Sequence, residues 1–359
     1  MTRKLWFQVG VGIILTLLII KFFVDINWIL SPLTIVLKTI FYPLLIGGVL
    51  FYITVPIQLF LEKYKFPRFA SIGTILLLIT AAIWAAISIV GPPITQQINN
   101  LIDNAPAIIN ETTVFVVDLL EKTGSLPIWL KDAIDNVTDS LSSISMQFGK
   151  WTVTLIQSLF QGTLVLVLAP FFLIFMLKDH EKFSPFVTKF FSGETKAWVK
   201  KTIQDIDHVL SLYIRGQILI STILAILLFI GYSIIGLNFA LLLAVFAFFM
   251  NIIPFIGPWI AFVPALIISF FQDPMMVIWV SLITLIAQQT DANLITPNIM
   301  GKTLDIHPLT IITILLAAGN IAGFIGILLA VPGYAVGKAI ISNIYDRRQS
   351  IKNAANKSV

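Results

Sequence analysis

Residues 216–272 read GQILISTILAILLFIGYSIIGLNFALLLAVFAFFMNIIPFIGPWIAFVPALIISFFQ, 57 residues without one charged side chain. A helix crossing a bilayer needs about 20 mostly apolar residues. This run is too long for one crossing, and Gly236, Pro254, Gly257, Pro258 and Pro264 punctuate it. Hydrophobicity therefore predicts helices over about 217–236, 239–253 and 255–271, with another over about 275–296. Other charge-free runs cover 69–102, 151–177 and 308–337. Over the 359 residues, 58% are apolar and 11% charged, against about 25% charged in an average soluble domain. A soluble enzyme and a disordered chain are excluded. An outer-membrane barrel is excluded as well, because its strands would alternate polar and apolar residues. The fold class is all-α, a polytopic helical membrane protein with about eight spanning helices and broken or re-entrant segments in its C-terminal half.

Outward from this run, the remaining charges sort by position. Arg3 and Lys4 precede an apolar run from Leu5 to Ile20 that no small-residue cleavage site follows, so it reads as a retained first helix. A second apolar segment covers about 33–61, with Pro43 and Pro56 inside. A third covers about 69–91 and is expected to stop at Gly91-Pro92-Pro93. Residues 92–150 carry seven acidic against three basic residues and repeat apolar residues at helical spacing. They read as an amphipathic helical module outside the cytoplasm. A helix over 151–177 leads to a cytoplasmic amphipathic segment, 178–215, with seven basic against five acidic residues. The transport core is 216–342 and the basic tail 343–359. The net charge of +5 fits the positive-inside rule better than nucleic-acid binding. The same rule puts both termini in the cytoplasm, with 1–91 holding the N-terminal spanning helices. Cysteine is absent, which removes disulfides and thiolate metal sites.

The last apolar run, about 309–342, is long for one crossing and short for two. Gly319-Asn320-Ile321-Ala322-Gly323 interrupts it, so a re-entrant hairpin or two short tilted helices fits. Phe255-Ile256-Gly257 with Val263-Pro264 resembles Phe324-Ile325-Gly326 with Val331-Pro332. Such paired interruptions mark binding regions in transporters, although five shared letters also arise by chance in so apolar a chain.

Few residues at depth could carry chemistry. Asp291 is the one carboxylate between Asp273 and Asp305, beside Gln288, Gln289 and Asn293. A carboxylate in a membrane faces a cavity, a partner or a pathway. Alternatively it meets headgroup water at a helix end, with Lys302 to neutralise it. Gln288 and Asp291 can share a helix face. At Asn251-Ile252-Ile253-Pro254-Phe255-Ile256-Gly257-Pro258, proline frees a carbonyl one turn earlier. The break is either a turn with Asn251 capping, or a turn that also lines a route. Arg215 borders the charge-free run, as a gate for anions or as a snorkelling anchor. Gly319-x-x-x-Gly323 has the spacing that lets helices approach closely. His180, His208 and His307 lack a second histidine at ligand spacing, and no nucleophile elbow or Walker A run is present. No catalytic residue, metal or cofactor is expected.

The motif at 251–258, with Pro264 and Ala265 beyond it, resembles the signature of the autoinducer-2 exporter family of bacterial permeases. So do Tyr213-Ile214-Arg215-Gly216-Gln217, Gln289-Thr290-Asp291-Ala292-Asn293, Pro297, Met300-Gly301-Lys302, His307-Pro308, and the glycine-rich end with Gly319, Gly323, Gly326, Ala330 and Pro332. The family often carries Glu-Gly-Asn where this chain has Asp291-Ala292-Asn293. The resemblance implies a transporter of the bacterial inner membrane that exports a small polar solute such as autoinducer-2. It also suggests a homo-oligomer, with a pentamer as the candidate form. The expected route is Arg215, Asn251, Pro254, Gly257, Pro258, Gln288, Gln289, Asp291, Asn293, Pro297 and Gly301. Gly319, Asn320, Gly323, Gly326 and Pro332 are the expected hinge or re-entrant positions. A sodium or lithium/proton antiporter using Asp291, with a proton or sodium as coupling ion, is the alternative. A scaffold that recruits a partner through 92–150 is the third reading.

Overall fold

The computed structural model describes residues 5–25, 27–100, 163–301 and 306–357. The expected outer module beyond Asn100, the start of the helix predicted at 151, and Lys302 lie outside the described residues. Among these residues every regular element is helical: α1 (Leu5–Asp25), α2 (Asn27–Lys63), α3 (Arg68–Ala85), α4 (Thr163–Thr188), α5 (Gly193–Ile234), α6 (Ala240–Asn251), α7 (Ile256–Gln272), α8 (Met276–Thr290), α9 (Thr296–Met300) and α10 (Pro308–Lys357). Four stretches are long and apolar enough to cross a membrane: Thr34–Lys63, Arg68–Asn100, Gly193–Ile234 and Pro308–Gln349. Much of their apolar surface is exposed, as lipid-facing helices require. In Arg68–Asn100 only 11% of the apolar window is buried.

Several helices run further than their sequence suggests: α4 continues past 177 to Thr188, and α10 past 342 to Lys357. The helix begun by α3 does not stop at Gly91-Pro92-Pro93. It passes through a π turn at Ala86–Val90 and continues to Asn100. A proline ring collides with the carbonyl four residues earlier, here those of Ser88 and Ile89. Both lie in the π turn, whose wider spacing moves the carbonyls aside. The same device recurs where the π turn Asp291–Ile295 precedes Pro297. The extension of α3 packs Ile94 and Ile98 against Leu242, and the Gln97 side chain accepts the Leu242 N–H at 3.0 Å. That bond satisfies one of the free donors in the first turn of α6. Helix α5 is continuous from Gly193 to Ile234, so charged residues and membrane core share one rod through Arg215 and Gly216.

Beside the small cluster of Ile94, Ile98 and Leu242, two larger apolar cores form among the described residues. Phe51, Val55, Ile72, Ile75, Leu173 and Leu177 join α2, α3 and α4. The larger core gathers residues from α5 to α10, including Leu224, Leu243, Ala265, Val280 and Leu315. Gly47 lets α2 and α4 approach, because a Cβ there would lie 2.8 Å from that of Phe172.

The C-terminal body contains two reversals. Helices α6 and α7, 12 and 17 residues long, reverse over residues 252–255. At 1.5 Å per residue they span about 18 and 26 Å, short of the ~30 Å hydrocarbon core. Helix α10 breaks at Ala322 (φ −134°, ψ 17°) and Gly323 (φ 58°, ψ −140°). Its first arm, 308–321, is roughly 21 Å long. Each reversal is closed by a glycine against a backbone carbonyl. A Cβ on Gly257 would lie 2.0 Å from the Met250 oxygen, and one on Gly326 would lie 1.9 Å from the Ala318 oxygen. The two Phe-Ile-Gly triplets thus sit at equivalent places in the two hairpins.

Gly257→Ala and Gly326→Ala are each expected to cost at least about 2 kcal/mol, because backbone cannot yield as a side chain does. Gly73→Ala meets open space on α3 and should be neutral or stabilising by up to about 1 kcal/mol. Thermal melts of the solubilised variants measure the contrast; equal melting temperatures would refute it.

Candidate functional site

Three consecutive residues of α5 each fasten a different element. Arg215 donates from Nε to the Tyr52 carbonyl of α2. That carbonyl lies four residues before Pro56, which has no N–H to bond it within the helix. Arg215 therefore supplies the donor that proline removed. The Tyr52 hydroxyl in turn donates to Asp207 on α5 at 3.0 Å. Arg215 thus ties α2 to α5, a role that neither sequence expectation contained.

Gly216 is the second contact. A Cβ there would lie 3.0 and 3.1 Å from Met300 side-chain atoms and 3.3 Å from Ile299, so its hydrogen admits α9. The third is Gln217, whose Nε2 donates to the Asn251 carbonyl at 2.6 Å. Gln217 is 8% exposed and Asn251 3%. Gln217 was absent from the expected route residues. Its signals in the sequence are its place at the end of the Tyr213-Ile214-Arg215-Gly216-Gln217 motif and an amide at the start of a charge-free run.

The break at 251–257 follows from its residues. Pro254 leaves the Met250 carbonyl without its helical donor. The Ile253 N–H takes that oxygen at 2.9 Å, while Gly257 makes room beside it. Phe255 has φ 65° and ψ −49°, and the Ile256 N–H bonds the Pro254 carbonyl at 2.8 Å. This is a γ-turn of the strained hand, worth about 1–3 kcal/mol of backbone strain. Pro258 occupies the first turn of α7, where a missing N–H costs little. Asn251 does not cap either helix. Its side-chain oxygen and nitrogen are buried without a hydrogen-bond partner. Its carbonyl, at the end of α6, is capped by Gln217 instead.

The residues around Asp291 divide. The half-buried Asp291 carboxylate accepts the Thr296 hydroxyl at 2.7 Å, across the π turn. Asn293 is exposed and donates to the carbonyl and side-chain oxygen of Gln289, also exposed, at 2.9 and 3.1 Å. Gln288 is half-buried and Pro297 exposed. Gly301 ends α9 at φ 58°, a conformation that favours glycine. The Asn251 break and α9 therefore meet α5 at adjacent residues, 217 and 216. In α10, Gly323 and Asn320 are exposed at the reversal. Gly319 packs on Ile327, and Pro332 is buried. Among the described residues no group of three or more His, Asp or Glu side chains could hold a metal ion.

A model described as the AI-2E family transporter matches residues 11–346. The chain belongs to the AI-2E transporter family. YueF of Bacillus subtilis (strain 168) is 36% identical over 349 residues, covering 92% of this chain and 91% of the relative. YrrI of the same strain is 30% identical over 340 residues, covering 94% and 95%. PerM of Escherichia coli (strain K12) is 27% identical over 315 residues, covering 83% and 86%. The first two are described as transport proteins and the third as a permease. As an AI-2E family member this chain is a membrane transporter, and 215–217, 251–257 and 291–301 are its candidate moving or lining parts.

Removing the Arg215 donor orphans a carbonyl only while Pro56 is present. Arg215→Leu should cost about 1–3 kcal/mol. In a Pro56→Ala background, where residue 56 supplies its own N–H, the cost should shrink by about 1 kcal/mol. A double-mutant cycle on unfolding measures the coupling; strict additivity would contradict the capping role.

Proposed function

We propose that this AI-2E family transporter exports a small, uncharged, polar organic molecule across the bacterial cytoplasmic membrane, and that autoinducer-2 is the cargo. The family description supports the cargo. The carrying observation is the Asn251 amide, 3% exposed and unpartnered beside a strained helix break between two helices too short to cross a bilayer. Irregular backbone at membrane depth is tolerated only inside protein or beside a cavity. An amide offers one donor group and one acceptor without the desolvation cost of a charge. The route passes the 251–257 break and the 291–301 segment, with α5 between them, and the hairpin at Gly323 is a hinge. The charged ends of α2, α4 and α5 and the tail face the cytoplasm, as the basic residues favour. The functional unit is a homo-oligomer in the lipid bilayer.

One observation favours cation/proton antiport as a second reading. Asp291 is a half-buried carboxylate held by a hydroxyl across a π turn, and π turns frequently occur at functional sites.

Proteoliposomes separate the two. Loaded with autoinducer-2, vesicles holding the transporter should release it at least about tenfold faster than empty ones, and Asp291→Asn should retain most of that flux without dependence on a sodium gradient. Release no faster than from empty vesicles would reject export. Sodium-driven pH change that Asp291→Asn abolishes would establish antiport.

A further inference from the structure

We propose that Gln217 is the lock of the α6–α7 break: its amide holds the Asn251 carbonyl, and breaking that one bond lets the break open and exposes the Asn251 side chain. The inference starts from the end of α6. A helix end carries carbonyls without intrahelical donors, and an apolar environment makes leaving them unbonded costly. The Asn251 carbonyl is one of these. The backbone bonds across the turn run from Ile253 to Met250, Ile256 to Pro254 and Gly257 to Ile253, and the donor to Asn251 is Gln217 at 2.6 Å. That donor belongs to α5, outside the hairpin.

The other forces on the break point towards opening. The γ-turn at Phe255 stores strain, and the buried Asn251 amide has both polar atoms unpartnered in the closed arrangement. Opening relieves both by letting the amide meet water or cargo. Holding it closed are the apolar packing of α6 on α5 and on Ile94 and Ile98, the Gln97 bond to Leu242 and the Gln217 bond. Only the last is specific to residue 251. Gly216 and Arg215 extend the consequence, since the same turn of α5 grips α9 and α2. A shift of α5 that frees Gln217 also strains those contacts. Gln217 is thus a positioning residue, acting on the route through Asn251. This rests on the reading of the break as part of the route.

The test uses accessibility, and the absence of cysteine makes it clean. Asn251→Cys installs a single thiol and keeps the backbone carbonyl that Gln217 binds. A water-soluble maleimide reports its exposure in proteoliposomes. Gln217→Met keeps the side-chain length and removes the donor. It should speed labelling of residue 251 about tenfold, the factor that 1.4 kcal/mol represents. Ile72→Cys, buried in the other core, serves as the control for general loosening and should label at an unchanged rate.

Gln217→Glu provides a readout that a merely structural role would not move. Ionised, it has no proton to donate and should label like the Met variant. Protonated, its O–H donates to the same carbonyl. Its labelling should therefore slow towards the Gln217 rate as the pH is lowered, relative to Gln217 at each pH. Unchanged labelling at 251 in Gln217→Met would overturn the lock. Equal acceleration at 251 and 72 would also overturn it, as would a Glu variant still labelling like Met at acid pH. Labelling does not involve cargo. A tenfold acceleration in a protein that fails to move autoinducer-2 would leave the lock standing and remove the cargo assignment.

Discussion

A backbone carbonyl deprived of its donor cannot be left bare in an apolar environment, and this chain places prolines and helix breaks where that happens repeatedly. Its answer is to supply donors from a neighbouring rod. Pro56 frees the Tyr52 carbonyl and Arg215 takes it. The end of α6 frees the Asn251 carbonyl and Gln217 takes it. Both donors, with Gly216 between them, lie within a single turn of α5. Helix α5 is 42 residues long and carries both a charged half and an apolar half. It can therefore reach α2 in one core and α6 and α9 in the other. At this junction Arg215 ties the α2 core to α5, and the packing of Ile94 and Ile98 on Leu242 joins the α3 extension to α6.

The far end of this rod is fastened as well. Trp198 donates to the Asn343 carbonyl at 3.0 Å, Asn343 donates to Asp205 at 2.8 Å, and the Arg347 guanidinium lies 5.0 Å from the centre of the Trp198 ring. The second arm of α10 is thus anchored on α5 near its charged end, while its other end leads to the exposed reversal at Gly323. Helix α5 serves both hairpins, gripping one at its tip and the other at its base. Each hairpin closes on a glycine against a carbonyl, so both tips are narrow and their geometry is set by backbone contact.

Much of this was legible in the residues. The charge-free run required membrane helices, and Pro254 and Gly257 located a break that the structure puts at 252–255. Gly319 to Gly323 located the interruption of the last run, whereas the likeness of the two Phe-Ile-Gly triplets could not be told from chance in so apolar a chain. Helix lengths were read less well. Gly91-Pro92-Pro93 looked like a stop, because a proline costs a helix a donor and a clash. A π turn just upstream removes the clash, and π turns leave no clear mark in a sequence. The role of Arg215 was hidden for a related reason. Its partner is the carbonyl freed by Pro56, about 160 residues away in sequence.

By itself the sequence determined the all-helical membrane class, the two breaks of the C-terminal half and the scarcity of charge along the candidate route. Those follow from properties that each residue carries alone: hydrophobicity, a missing N–H, a missing Cβ. Only the tertiary structure decided which donor satisfies which freed carbonyl, that Asn251 is buried without a partner while Gln217 does the capping, and that Asp291 spends its oxygen on Thr296. Hydrogen bonds of this kind depend on two groups from distant segments meeting within about 3 Å. No single residue specifies that meeting; the packing of α5 against its neighbours does.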